Sequence, residues 1–161
     1  MTPALLAEAE SLLALLRSRK LMLATAESCT GGLVAGTLTA IAGSSDVVDR
    51  GFVTYSNEAK REMLGVTDES LAMAGAVSEE VARAMADGTL ARSRADIALS
   101  VTGIAGPGGA TATKPVGLVF IGAARRGGTL LVERHVFGGD RAAIRNASIA
   151  VAFRLARTLA G

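Results

Sequence analysis

The stretch TAESCTGG, residues 25–32, sets a carboxylate (Glu27), two hydroxyls (Ser28, Thr30) and the chain's one thiol (Cys29) directly before the pair Gly31-Gly32. Two readings fit it. The hydroxyls can cap a helix that starts near Gly31. Alternatively, Ser28 is a nucleophile at a strand-to-helix turn, with the N–H groups of residues 30–32 aimed outward at an anion or an oxyanion. A serine nucleophile needs a base, and the single histidine, His135, lies in a strand-like run, LLVERHVF, with no triad around it. Lysine is the better candidate. The chain has 14 Arg and only 3 Lys, and an ammonium, unlike a guanidinium, can shed its proton when desolvated and then act as a base. Lys60 follows Tyr55, the only tyrosine, by five residues in YSNEAK. That strand-to-helix junction either presents both side chains on one face or carries a solvated lysine beside a tyrosine anchoring the strand end.

Two further stretches can bind. TGIAGPGG, residues 102–109, follows a predicted strand and brings Thr102, Gly103 and Gly106 into a loop whose backbone a ligand can approach. It has neither the Lys-Ser ending of a P-loop nor the dinucleotide spacing, so an ordinary turn is its competing reading. In GGDRAAIRNA, Arg141 and Arg145 stand four apart on one helix face near the helix start. Cations there oppose the helix dipole, which an anion such as phosphate bound between them would explain, as would pairing with Asp140 or another acid.

These residues need elements to hold them. Thr2-Pro3 reads as the cap and first residue of an amphipathic helix with Leu5, Ala9, Leu12 and Leu16 on one face. LMLATA (21–26) has the length and character of a buried strand, and LVAGTLTAIAG that of a helix. DVVDRGFVTYS (46–56) and ADIALSVTG are strand-like. TDESLAMAG and SEEVARAMADGTLARS begin as helices do, with a hydroxyl and acids. VGLVFIGAARR and GTLLVERHVF, separated by Gly-Gly, form a hairpin, and Asp140 caps a closing helix. The order α β α β α α α β β β α predicts a single domain over 1–161: three α/β/α layers around a mixed, mostly parallel sheet that contains an antiparallel hairpin.

Composition narrows the function. Half the residues are hydrophobic, 31 are alanine and five aromatic, so the core must be aliphatic and tightly packed. No basic block or aromatic–basic stripe speaks for nucleic acid. The charged first twenty residues are neither a signal peptide nor a membrane span. One cysteine and one histidine leave too few soft ligands for a structural zinc, and a reducing cytoplasm fits them. The alanine-rich helices leave apolar surface for a homodimer.

Taken together, TAESCTGG, GFVTYSNEAKREMLGV, GAVSEEVA, SVTGIAGPGG, KPVGLVFIG and FGGDRAAIR resemble the CinA C-terminal domain family over about residues 5–159. Its characterised members are nicotinamide-nucleotide amidohydrolases. The resemblance implies hydrolysis of the carboxamide of nicotinamide mononucleotide to nicotinic acid mononucleotide and ammonia, a salvage step that needs no metal or cofactor. It makes Ser28 the nucleophile, with Lys60 and Tyr55 assisting. Glu27, Thr30, Gly31, Gly32, Thr102, Gly103 and Gly106 then surround the small pyridine-nucleotide substrate, and Arg141 and Arg145 take its phosphate. The chain departs from the family pattern at ATATKPVG, and the activities of the N-terminal domain of longer relatives are not carried over. The competing expectation is a catalytically silent nucleotide-binding or regulatory module of the same fold.

Overall fold

The fold is that of a computed structural model, which describes residues 1–161. Helix starts follow the local code. Thr2 accepts the N–H of Leu5 and Pro3 opens α1 (Pro3–Ser18), whose buried face carries Leu5, Ala9, Leu12, Leu13 and Leu16. After β1 (Leu23–Glu27) come α2 (Leu33–Thr39), a 3₁₀ turn at Ser44–Asp46 and β2 (Val48–Val53). Ser56 then caps α3 (Asn57–Leu64), Thr67 caps α4 (Asp68–Ala74) and Ser78 caps α5 (Glu79–Ala91). The chain closes with β3 (Ile97–Gly103), β4 (Leu118–Arg125), β5 (Leu130–Val136) and α6 (Arg141–Ala160), the last capped by Asp140. The element order is the one the sequence predicts. No helix is long and apolar enough to cross a membrane.

The strands form one sheet in the order β2-β1-β3-β4-β5. β1 lies parallel to β2 and β3, whereas β4 is antiparallel to both its neighbours. Four strands therefore run one way and β4 alone runs against them. The turn between β4 and β5, with Gly127 at φ 68°, is too short for anything but an antiparallel return. The parallel pairs are reached through crossovers that carry helices.

Helices cover both faces of the sheet. α1, α2 and α6 pack on one side, where 25 buried residues, among them Leu12, Leu16, Ile121 and Phe153, form the main core. α3, α4 and α5 lie on the other, over a cluster of five: Ala26, Leu64, Val66, Val81 and Met85. The thinner layer depends on close approach. A Cβ on Gly88 of α5 would stand 2.1 Å from the Leu64 carbonyl oxygen of α3, so those helices meet at this distance only because residue 88 has no side chain. This is the layer that holds Lys60.

Candidate active site

The carboxyl ends of β1, β2 and β3 lie side by side, and the residues just beyond them form the site, where open α/β sheets commonly place their ligands. Ser28 follows β1 directly and its N–H donates to the Val101 carbonyl. Thr54 and Tyr55 follow β2. α3 then carries Lys60 back under the strand ends: its Nζ lies 3.1 Å from Ser28 Oγ and 2.9 Å from the Thr54 carbonyl oxygen.

Lys60 is 1% exposed and no carboxylate pairs with it. Burial holds its pKa below the ordinary value, because removing an ammonium from water disfavours the charged form. Nζ donates to both the Thr54 carbonyl and Ser28 Oγ, and an amine that has lost its proton can instead accept from the Ser28 hydroxyl at the same distance. The neighbouring Cys29 thiol is also buried, and burial pushes it up to about 11. Cys29 is therefore protonated at neutral pH and unreactive.

Turn 28–32 corrects one expectation. Neither Ser28 nor Thr30 caps a helix, and α2 begins two residues beyond Gly31. Gly32, at φ 98°, is its N-cap and makes no side-chain cap bond. The capping group is Glu27, fully buried, whose carboxylate oxygens accept the N–H groups of Gly32 (3.2 Å), Val34 (2.9 Å) and Ala35 (2.9 Å). The N–H of Gly31 goes to the Ser28 carbonyl. Of the expected outward donors 30–32, only Thr30 keeps a free N–H. It is joined by that of Cys29, the residue after Ser28, since neither has a protein acceptor. Glu27 thus braces the turn and is spent before it can meet a ligand.

Ser28, Cys29, Tyr55, Arg141 and the loop 103–109 line a cleft of about 240 Å³. Gly103 and Gly106 belong to its wall because side chains would not fit: a Cβ at Gly103 would stand 2.8 Å from the Leu118 carbonyl, and one at Gly106 2.6 Å from Val116 Cγ1. Thr102 sits differently. It is buried on β3 and donates to the Ala76 carbonyl, fastening the α4–α5 connection. Tyr55 is 60% exposed and its hydroxyl accepts from Arg141 Nη2 at 2.9 Å. It bonds neither Ser28 nor Lys60. Arg141 also donates to the Gly106 carbonyl, so one guanidinium ties the loop to Tyr55 across the cleft mouth.

Arg145 lies behind the turn. Its Nη2 donates to the Thr30 carbonyl at 2.8 Å, and Gly31 leaves it room. Neither Arg141 nor Arg145 pairs with an acid, so Asp140 does not neutralise them; it caps α6 through the N–H of Ala143. Three buried side-chain polar atoms lack partners, Thr30 Oγ1, Thr54 Oγ1 and Arg145 Nε, and all three belong to this site or its wall. Thr54, whose carbonyl orients Lys60, was invisible in the sequence because every residue has a carbonyl.

A larger cavity of about 380 Å³ opens between the start of α5 and the β4–β5 face, lined in part by Ser78, Glu80, Lys114, Phe120 and Arg134. It holds no nucleophile paired with a base, whereas the smaller cleft is lined by Ser28, whose Oγ meets Lys60 Nζ. No group of three or more His, Cys, Asp or Glu side chains is placed to hold a metal ion.

Fold and cleft together define the class: an α/β/α protein that gathers a serine, a buried lysine and unpaired arginines at its strand ends. The chain belongs to the CinA C-terminal domain family, which matches residues 6–160. It is 52% identical over 139 residues to the nicotinamide-nucleotide amidohydrolase PncC of Escherichia coli K12, covering 86% of this chain and 84% of that one. A putative competence-damage inducible protein of Caldicellulosiruptor bescii is 51% identical over 148 residues, 92% of this chain. The chain spans only 36% of that longer relative. The crystal structure of competence/damage inducible protein CihA from Agrobacterium tumefaciens matches with a TM-score of 0.98 and 49% identity, over 100% of this chain and 98% of that chain.

Proposed function

We propose that the chain hydrolyses the carboxamide of nicotinamide mononucleotide, giving nicotinic acid mononucleotide and ammonia, with Ser28 as nucleophile and Lys60 as its base. The observation that carries this reading is the 3.1 Å contact between Ser28 Oγ and a buried lysine that no acid neutralises. The name of the Escherichia coli relative supplies the substrate class. Neutral Lys60 takes the proton of Ser28 as Oγ adds to the amide carbon. The N–H groups of Cys29 and Thr30 receive the oxyanion. The Lys60 ammonium returns the proton to the departing nitrogen, ammonia leaves, and an ester remains on Ser28. Water, deprotonated by the same amine, adds to that ester; the C–Oγ bond breaks, Ser28 recovers its proton, and the carboxylate product leaves.

The cleft beside Ser28 receives the pyridine ring and its carboxamide, while Arg141 and Arg145 draw the phosphate. Tyr55 closes the mouth through Arg141. The reading uses no metal or cofactor. It places the protein in the cytoplasm, where its substrate is found. Exposed Met73 (81%) and Val136 (52%) offer apolar surface for a homodimer, which light scattering would detect. The deciding assay is ammonia release from nicotinamide mononucleotide by the native chain and by Ser28→Ala. Release by the native chain and its loss in the variant support the reading. A folded native protein that releases none is instead the silent binding module, and undiminished release from Ser28→Ala removes the serine from the mechanism.

A further inference from the structure

Glu27 and Lys60 are the only acidic or basic side chains fully buried in this chain. Glu27 directly precedes Ser28 in the chain and Lys60 Nζ meets Ser28 Oγ at 3.1 Å, yet no ion pair joins the two charges. A buried carboxylate without partners is costly, and one facing Lys60 would hold the amine in its charged form. Neither occurs, because the Glu27 oxygens are fully employed. Oε2 accepts the N–H groups of Gly32 and Val34; Oε1 accepts that of Ala35 and, at 3.4 Å, the Thr25 hydroxyl.

This arrangement has a mechanical effect. Glu27 is the last residue of β1, and the N–H groups it holds belong to the cap and first turn of α2. One side chain therefore fixes both ends of turn 28–32, and Ser28 is the first residue inside it. The turn is closed from within by the Gly31 N–H on the Ser28 carbonyl, which leaves the N–H groups of Cys29 and Thr30 over. With the first donors of α2 spent on the chain's own carboxylate, a substrate anion in the cleft meets Arg141, which lines it, while Arg145 stands behind the turn on the Thr30 carbonyl.

We propose that Glu27 is a positioning residue: by clamping the start of α2 to the end of β1, its carboxylate keeps Ser28 Oγ on Lys60 Nζ and keeps the Cys29 and Thr30 N–H groups free for the oxyanion. The proposal rests on the Ser28–Lys60 reading. Charge and shape are both required. Glutamine has the same length but one acceptor oxygen, so its NH₂ must face an N–H of Val34 or Ala35, donor against donor. Aspartate keeps the charge but is a methylene too short to serve residues 32 and 35 together.

The test separates positioning from folding and from substrate identity. Glu27→Gln and Glu27→Asp are first checked for cooperative melting. Two rates are then measured well below the melting midpoint: modification of Ser28 by phenylmethanesulfonyl fluoride, followed by intact mass, and turnover of nicotinamide mononucleotide. In folded Glu27→Gln, the modification rate and kcat should fall together by about 10²-fold, the scale of a misplacement near 1 Å, while KM stays within about threefold. A loss confined to melting temperature would leave both rates near native and overturn the proposal. So would a crystal structure of the variant with the Ser28–Lys60 contact and the turn unmoved. Should the glutamine variant not fold, the aspartate variant carries the same comparison. Native protein that is modified at Ser28 yet silent on nicotinamide mononucleotide sinks the substrate assignment alone, and the modification rates still judge Glu27.

Discussion

Replacing Lys60 by arginine asks whether the residue works as a base or as a fixed positive charge. Arginine keeps the charge and can still donate to the Thr54 carbonyl, but a guanidinium does not deprotonate near neutrality. Nζ now lies 3.1 Å from Ser28 Oγ, with its only other partner at 2.9 Å on the opposite duty of donation, so the lone pair has one use. A positioned general base contributes about 10²–10⁴-fold. We expect Lys60→Arg to lose about 10³-fold in kcat, or about 4 kcal/mol of barrier. The larger head also overfills a closed site at a cost of about 1–3 kcal/mol, so rates should be read well below the melting midpoint. Lys60→Met serves as the slimmer control.

The assay is ammonia release as a function of pH. The native rate should climb until Lys60 is neutral, a point that burial brings below 10.5, and Lys60→Met should lose that limb. Stability supplies an independent sign. Native Lys60 binds its proton less tightly than in the unfolded chain, so its burial cost is complete at low pH and fades as pH rises through the lowered value toward 10.5. Lys60→Met should therefore gain most over the native protein in acid denaturation experiments and least near pH 10.5. An arginine variant within about tenfold of native turnover would refute the base assignment, since it would fall outside the usual contribution of such a group.

Tyr55→Phe should cost much less than Lys60→Met, about tenfold at most, because its hydroxyl meets Arg141 and neither reacting group; equal losses in steady-state turnover would make the phenol part of the proton path. Arg141→Ala should raise KM by about 10–100-fold, the worth of a charge-assisted contact, with the Ser28 modification rate largely kept. An unchanged KM would remove Arg141 from the phosphate site. Gly88→Ala should lower stability by about 1–3 kcal/mol or more, since its Cβ would meet the Leu64 carbonyl oxygen at 2.1 Å; a native melting curve would show that α3 and α5 can separate freely.

The parts of this fold that could be read in the sequence are those governed by contacts a few residues long. Thr2, Ser56, Thr67, Ser78 and Asp140 each accept an N–H three residues on, and each helix begins where such a residue stands. The start of α2 breaks the rule, because Glu27 reaches five, seven and eight residues ahead from a strand, a bond no local motif encodes. β2 was expected over 46–56 and holds only 48–53, since the flanks go to the 3₁₀ turn and to the cap of α3.

Lysine rarity draws attention to Lys60, which the structure buries 3.1 Å from Ser28 Oγ, but the same reasoning has no force for Lys114, which donates to the Ala74 carbonyl. Eight of the fourteen arginines do likewise: 17, 50, 92, 125, 126, 141, 145 and 157 all bond backbone carbonyls. Their abundance reflects tying of chain ends and loops, which composition alone would assign to surface charge. The resemblance puts Thr102 around the substrate and Tyr55 beside Ser28 as an assisting group. Their partners, Ala76 and Arg141, lie 26 and 86 residues away, a separation at which spacing carries no information.

The strand order bears on how the protein comes to be active at all. The β4–β5 hairpin and α6 are contiguous in the chain, and short-range contacts of this kind are expected to close first. Ser28 instead waits on β1 finding β2 and β3, and its surroundings wait on contacts such as Arg145 with Thr30, 115 residues apart. Loops of that length close late and at greater entropic cost. During refolding, secondary structure should therefore return before Ser28 becomes reactive, and a chain stalled with only its C-terminal half assembled would look ordered yet be inert. Reactivity at residue 28 thus reports on completion of the whole molecule.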